Sequence, residues 1–352
     1  MTSLLLGPLV LTLVAALPDG DGAADAAPVR AFDADQALET VRVLSADDMQ
    51  GRQTDSEGSA KARAWIVARL EALELAPAGA SYEQPFSFAS RRRPDDPYDG
   101  VNLLARIDGA TPGEGPALVV TAHYDHVGVR RGEVYNGADD NASGVAGLFA
   151  IAEAFTAEPP RHDVILAFLD AEEMGLRGAR AFVEDPPVPA ERLALNLNMD
   201  MISKNDEGEL WATGAYHFPA LRPLLDALAS EVPVTLRQGH DDPDGEGQDW
   251  TYNSDHGVFL RSGVPFVYLG VEDHDEYHRP TDDFETMPQA FFLDAVETAV
   301  RVARRLDEQL EPLAAAWAER QAEAAAAAAE AEEANAAEAA EAAEPAGAGG
   351  DR

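Results

Sequence analysis

Apolar positions recur at helical spacing early in the chain and then give way to short continuous runs. Residues 35–44 and 59–73 carry the roughly 3.6-residue period of helices with one buried face; in the second, Ile66, Leu70 and Leu73 share that face behind Ser59 as a cap. Between them, LSADDMQGR (44–52) predicts a turn, and residues 78–100, with the charged run Arg91-Arg92-Arg93-Pro94-Asp95-Asp96-Pro97, predict a solvated surface loop. From Val101 onward, apolar runs at 101–107, 118–122, 164–169, 193–197 and 264–269 alternate with helix-forming stretches at 142–155, 175–183, 218–230 and 289–310. Continuous apolar strands alternating with helices predict an α/β domain: a mostly parallel, twisted mixed sheet with helices on both faces. Beyond Leu313 the pattern stops. Residues 321–344, QAEAAAAAAEAEEANAAEAAEAAE, are strong helix formers with no apolar stripe, which predicts a solvated, frayed helix or an extension without fixed structure.

Composition changes this picture in three places. Lys and Arg total 26 against 64 Asp and Glu, a net charge of −38. Such a field repels nucleic acid and anionic lipid, so neither is an expected partner. There is no cysteine, so disulfides and thiolate metal sites are excluded, and a transition metal would have to rest on His and carboxylate. The first apolar run, LLLGPLVLTLVAAL at 4–17, is 14 residues long, short for a membrane span but matched to the core of an export signal. Val14-Ala15-Ala16 or Ala24-Asp25-Ala26 would supply a cleavage site. The expected organisation is signal peptide and spacer at 1–27, a catalytic domain at 28–312, and an Ala/Glu-rich tail at 313–352 dispensable for folding and catalysis. The mature chain would be exported, to a periplasm or outside the cell, with no membrane span. The sequence does not fix the oligomeric state.

The chemistry collects where the apolar runs end. His123 and Asp125 follow 118–122; Asp170, Glu172 and Glu173 follow 164–169; Asn198-Met199-Asp200 close 193–197; and Glu272, Asp273, His274, Asp275, Tyr277 and His278 follow 264–269. In open α/β sheets ligands bind beyond the carboxyl ends of the strands, so four such ends converge on one site. A mixture of imidazole and carboxylate suits zinc and its neighbours, not the all-oxygen shells of calcium or magnesium. The stretch GHDDPDGEGQD (239–249) has the composition of a calcium loop but lacks the spacing, and reads as a mobile acidic loop beside the site. His126, His217 and His274 are candidates for extra ligands, though surface or pocket-lining roles are favoured for them, and His162 reads as a turn residue. No GxSxG motif and no phosphate-cradling glycine loop is present.

The motifs AHYDHVG, YNGADDNASG, FLDAEEMGLRGAR, LNMDMIS and EYHRPTDDFE, in this order, resemble those of the co-catalytic zinc aminopeptidases of the MH clan of metallopeptidases, relatives of glutamate carboxypeptidase and glutaminyl cyclase. The resemblance runs from about Leu44 to about Met287. It implies two zinc ions per chain, the first held by His123 and Asp200, the second by Glu173 and His278, with Asp139 bridging both. Asp125 would orient His123, Glu172 would act as general base, and Tyr277 would stabilise the oxyanion. A cis peptide between Asp139 and Asp140 is also implied. The expected activity is removal of N-terminal residues from peptides; the same scaffold supports carboxypeptidase, amino-acid deacylase and glutaminyl cyclase chemistry, and non-catalytic receptor relatives that have lost ligands or the base. The segment before Gly100 is too short for the extra domain some relatives insert, so one catalytic domain is expected. Asp255-His256 matches a family motif near the substrate pocket, while Arg177, Arg180 and Arg279 are read as structural or peripheral.

Overall fold

The computed structural model describes residues 30–90, 93–245 and 247–343; the segment at 1–27, expected to hold an export signal, and the end of the tail lie outside the described residues. Two N-terminal helices, α1 (Ala34–Leu44) and α2 (Glu57–Ala72), precede the strands β1 (Ala76–Pro77), β2 (Glu83–Ser90), β3 (Arg93–Ile107) and β4 (Ala117–His123). After a small ribbon, β5 (Gly128–Arg130) and β6 (Glu133–Tyr135), come α3 (Gly144–Ala157), β7 (Asp163–Leu169), α4 (Arg177–Glu184), β8 (Leu193–Met199), β9 (Glu209–Thr213) and α5 (Arg222–Leu228). The chain continues through β10 (Thr235–Gln238), α6 (His256–Arg261), β11 (Phe266–Gly270), α7 (Gln289–Glu308) and α8 (Leu310–Ala343). The large sheet has the order β1-β3-β7-β4-β8-β11-β9-β10, with β2 paired to β3. Its centre, β7-β4-β8-β11, is parallel throughout, while β3 and β9 join it antiparallel.

Strand periodicity explains why the central runs are continuously apolar. Successive side chains point to opposite faces. Leu118, Val120 and Ala122 of β4 pack with Val164, Leu166 and Phe168 of β7 in one core, which also takes residues of α1, α2, α3 and α7. Val119, Ile165, Ala167 and Leu169 face a second core with Ala179 and Phe182 of α4 and Val258 and Phe259 of α6. Each fully buried Leu, Ile or Phe there contributes about 1.5–3 kcal/mol. The sheet is covered on both sides, and only its ends are open to function.

The structure departs from the sequence-based expectations in four places. Residues 78–100 are not a loop: β2 and the first half of β3 form a long hairpin, with Phe86, Phe88 and Tyr98 stacked along it. Alternation there is between exposed and half-buried positions, so no apolar run marks it. The cap of α2 is Ser56, whose side chain accepts from the Ser59 N–H, not Ser59 itself. The short strands β9 and β10 gave no run long enough to read. The tail packs further than its composition suggests: Leu313 is buried, the Trp317 indole donates to the Gly263 carbonyl at 2.6 Å, and its ring meets Phe218 edge-on at 5.1 Å. The boundary at 312 therefore falls too early, because Trp317 belongs to the body. From Gln321 to Glu332 every residue is exposed.

The turn over 44–52 carries a residue with a larger role than its position suggested. Arg52 is fully buried, and its guanidinium donates to four carbonyls, those of Tyr124, Leu44, Asn136 and Gly137, at 2.5–3.0 Å. It ties the N-terminal turn to the two segments that leave β4 and enter α3.

Candidate metal centre

Parallel pairing puts the carboxyl ends of four strands side by side. His123 is the last residue of β4 and pairs with Leu169 of β7, while Leu269 of β11 pairs with Met199 of β8. Asp200 follows β8 directly, and its N–H is fixed on the Leu269 carbonyl. After β7 the chain turns sharply at Ala171, which has φ 59°, so that Glu172 and Glu173 face back over the strand ends. His278, at φ 54°, lies in the turn beyond β11. The acidic pair of YNGADDNASG forms a tight turn, Ala138–Ser143, before α3. Gly137 allows it: at φ 60°, a Cβ there would run into the Asp140 carbonyl oxygen and the His126 ring.

Two clusters of donor atoms result, and one carboxylate belongs to both. The His123 Nε2 lies 3.2 Å from Asp200 Oδ1 and 3.4 Å from Asp140 Oδ1. The other oxygen of Asp140, Oδ2, lies 3.1 Å from His278 Nε2 and 3.5 Å from His126 Nδ1. Glu173 Oε1 completes the second group, 3.2 Å from His278 Nε2 and 2.8 Å from His126 Nδ1. The shared residue is Asp140, which corrects the assignment of Asp139. Asp139 is turned the other way and is fully engaged: Oδ1 accepts from the N–H and hydroxyl of Ser203, both at 2.7 Å, and Oδ2 is 2.9 Å from His274 Nε2. The cis peptide is likewise one residue later, at Asp140–Asn141. What sets this register is Asp282, whose carboxylate accepts from the N–H groups of both Asp139 and Asp140 at 3.0–3.1 Å and is paired with Lys204 at 3.1 Å.

These groups fit a pair of divalent ions. The His126 ring nitrogens and Glu173 Oε1 are buried and make no hydrogen bond, although Nδ1 and Oε1 are only 2.8 Å apart. Donor atoms that converge outside hydrogen-bond geometry are what a cation requires, and donors about 2.0–2.1 Å from a tetrahedral zinc stand roughly 3.3 Å from one another. Electrostatics point the same way. Burial opposes charge on Glu173, but His126 and His278 outweigh it and hold the carboxyl well below its usual range. Burial likewise opposes charge on Asp200, and His123 outweighs it. Burial raises Asp140, with the three imidazoles pulling the other way. His278 is pushed up to about 10: burial lowers it, but Asp140 and Glu173 prevail. The cluster binds positive charge strongly.

The remaining sequence-singled residues fall around this centre. The Asp125 carboxylate accepts from the N–H groups of Glu172, at 3.0 Å, and Glu173, at 3.4 Å. Its carboxylate stands 3.6 Å from His123 Nδ1, while its backbone carbonyl is nearer that nitrogen at 3.1 Å. It therefore fixes the turn carrying both glutamates, and its backbone sets the imidazole. The Glu172 pKa is pushed well above its ordinary value, first by burial and then by Asp200, Asp255 and Glu173, against the attraction of His123. Tyr277 is half-buried, its ring stacked on His278 with centroids 4.0 Å apart. Asp170 is not part of the centre: it ties Thr54, Tyr124 and Val101 together beneath it. His162 is held by Asp307, and His217 by Thr251. The loop at 239–249 holds Asp241, which accepts from the N–H groups of Gly214 and Tyr216, so part of it is anchored.

The sequence marks the acidic pair Asp139-Asp140 beside His123, with the bridge expected at Asp139; it does not mark Asp282 or Tyr268, whose hydroxyl donates to the Asp200 carbonyl at 3.1 Å. It also favours a surface or pocket-lining role for His126 over that of a ligand. The signal for His126 was its place three residues after His123 in the same loop; nothing marked the others.

Comparison with known proteins identifies the family. The model of peptidase family M28 matches residues 102–303, more than half of the chain. The chain belongs to that family, whose enzymes are zinc-dependent. Among curated relatives it is 38% identical over 103 residues to a vacuolar membrane protease of Meyerozyma guilliermondii, covering 28% of this chain and 10% of that protein. With the vacuolar membrane protease of Clavispora lusitaniae it shares 27% identity over 194 residues, 53% of this chain and 17% of that protein. The chain thus spans less than a fifth of the length of these relatives. Among solved structures, a zinc aminopeptidase from Bacillus subtilis superposes with a TM-score of 0.60 at 16% identity, over 77% of this chain and 95% of that one. The glutaminyl cyclase of Porphyromonas gingivalis gives 0.65 at 19% identity, over 80% and 100%. At these identities the likeness is one of fold, a mixed sheet between helices. Among the described residues no helix is long and apolar enough to cross a membrane.

Proposed function

We propose that the protein is an aminopeptidase that works with two zinc ions and hydrolyses the first peptide bond of substrates with a free N-terminus. The observation that carries this reading is the Asp140 carboxylate, whose two oxygens face different histidine clusters, 3.4 Å from His123 and 3.1 Å from His278. A two-oxygen ligand between two ions about 3.5–4 Å apart is the hallmark of two-metal hydrolytic sites. His123, Asp200 and Asp140 would hold one ion, and Asp140, Glu173 and His278 the other. When bound, such ions polarise a scissile carbonyl and lower the pKa of water to near neutral.

The protein's own groups do the rest. Among the described residues none hydrogen-bonds the Glu172 carboxylate, and its raised pKa brings it toward the working range of a general base and then a general acid for the leaving amine. Asp125 holds the Glu172 backbone, which fixes where that proton acceptor points. Burial opposes charge on Asp200 but His123 keeps it ionised, and with a net charge of −38 on the chain this suits an α-ammonium and disfavours a terminal carboxylate. Two of the three arginines nearest in sequence are engaged elsewhere: Arg177 lies over the Phe88 ring, with Nε on the Met174 carbonyl, and Arg180 donates to the Gly175 carbonyl, while Arg279 is exposed.

The test compares a leucine anilide, its N-acetylated form, and a peptide with blocked N-terminus and free C-terminus, alongside a peptide beginning with glutamine. Cleavage of the free-amine anilide alone is expected. Efficient turnover of a blocked substrate would favour carboxypeptidase or deacylase activity, and cyclisation without peptide cleavage would favour a glutaminyl cyclase.

A further inference from the structure

We propose that His126 is a further protein ligand of the second ion, so that His126, His278, Glu173 and Asp140 close that position while the first keeps a place open. The inference rests on the two-ion reading above and adds the unequal character of the two positions.

His126 lies between β4 and β5, three residues beyond His123, with its side chain wholly buried. A buried imidazole normally places one ring nitrogen as donor and the other as acceptor. Here neither nitrogen finds a hydrogen-bond partner. The nearest acceptor, Glu173 Oε1 at 2.8 Å, is itself without a hydrogen bond, so the two atoms face one another outside hydrogen-bond geometry. His126 Nδ1 also reaches Asp140 Oδ2 at 3.5 Å, and His126, Asp140 and Glu173 form a compact donor group without any contribution from His278. His278 Nε2 approaches the same two oxygens at 3.1 and 3.2 Å, with its ring centroid 5.8 Å from that of His126. Two imidazoles thus address one pair of carboxylate oxygens. Of the two, the buried His126 is fixed by its surroundings, whereas His278 is 39% exposed.

The first position differs. Its donors are His123 Nε2, Asp140 Oδ1 and Asp200 Oδ1. Three protein donors and an open place is the pattern of catalytic zinc, and four protein donors that of structural zinc. The second ion should therefore be the more firmly held, the first to load and the last to leave under a chelator. Substrate would exchange at the first.

The experiment uses the full chain, stripped with a chelator and shown to remain folded by circular dichroism. Zinc is titrated against a competing chromophoric chelator for wild type, His126→Asn and His126→Ser. Wild type should show two classes of ion. Both variants should weaken the tighter class by about 10-fold or more, the scale of lost support at a metal site, and leave the weaker class in place. Independently of any variant, long-range proton–nitrogen NMR of histidine-labelled wild type should show His126 Nδ1 shifting with the first equivalent of zinc. Two ions bound with His126 unshifted, or a folded variant with the tight class unchanged, overturns the assignment and leaves the two-ion reading intact. A wild type that takes up one ion only, with His126 shifted, overturns the two-ion reading and supports His126 as a ligand.

Discussion

Asp139 and Asp140 are adjacent, both buried, and opposite in their surroundings. Ser203 and His274 take up the first, while three imidazoles approach the second. Nothing in the local sequence separates them, because Ser203 and His274, which take up Asp139, arrive from 60 or more residues away. The strand-end ligands were easier to read, since the end of an apolar run marks them directly. Elemental analysis distinguishes the two aspartates: Asp140→Ala should lose ions from both positions, whereas Asp139→Asn should keep its metal. Retention of two ions in Asp140→Ala would remove it as the bridge. For Glu172, replacement by Gln preserves shape and removes the proton acceptor, so both metals should stay while turnover falls about 10²–10⁴-fold. Near-normal turnover with both ions present would move the base elsewhere.

The central strands were legible because each is buried on both faces, and the hairpin of β2 and β3 was not, because its alternation lies between half-buried and exposed positions. The helix α6 shows what an element can conceal. It opens on His256, whose Nε2–H donates to the Trp250 carbonyl at 2.9 Å while Nδ1 is buried without a partner between Phe266 and Tyr268. Burial pushes its pKa down to about 4, with the Trp250 carbonyl opposing. An unfolded chain protonates this ring below about 6.5, and the folded chain does not until about 4. The stability contributed by neutral His256 is therefore complete above about 6.5 and lost as pH falls toward 4, by up to about 1.4 kcal/mol per pH unit. His256→Gln retains a donor for Trp250 but does not titrate. Denaturant midpoints at pH 7 and pH 5 should differ less in this variant than in wild type, and equal losses would show that His256 does not set the acid limit.

For the molecule as a whole, the sequence marked where the apolar pattern ends, but not how far packing continues past it. A single indole made the difference, since Trp317 stands alone among alanines and glutamates and gives no periodic signal. Truncation after Gln321 should leave thermal stability and turnover unchanged. Truncation after Leu313 removes Trp317 from Gly263 and Phe218 and should cost roughly 2 kcal/mol. Equal melting temperatures for the two would mean that the indole contributes nothing. The same helix has a hydrodynamic consequence. At a rise of 1.5 Å per residue, the part of α8 from Gln321 to Ala343 reaches roughly 35 Å past its packed turns, about the width of a small domain. A rod of that length adds friction out of proportion to its mass, so removing residues 322–352 should delay gel-filtration elution and speed sedimentation more than the lost mass alone explains.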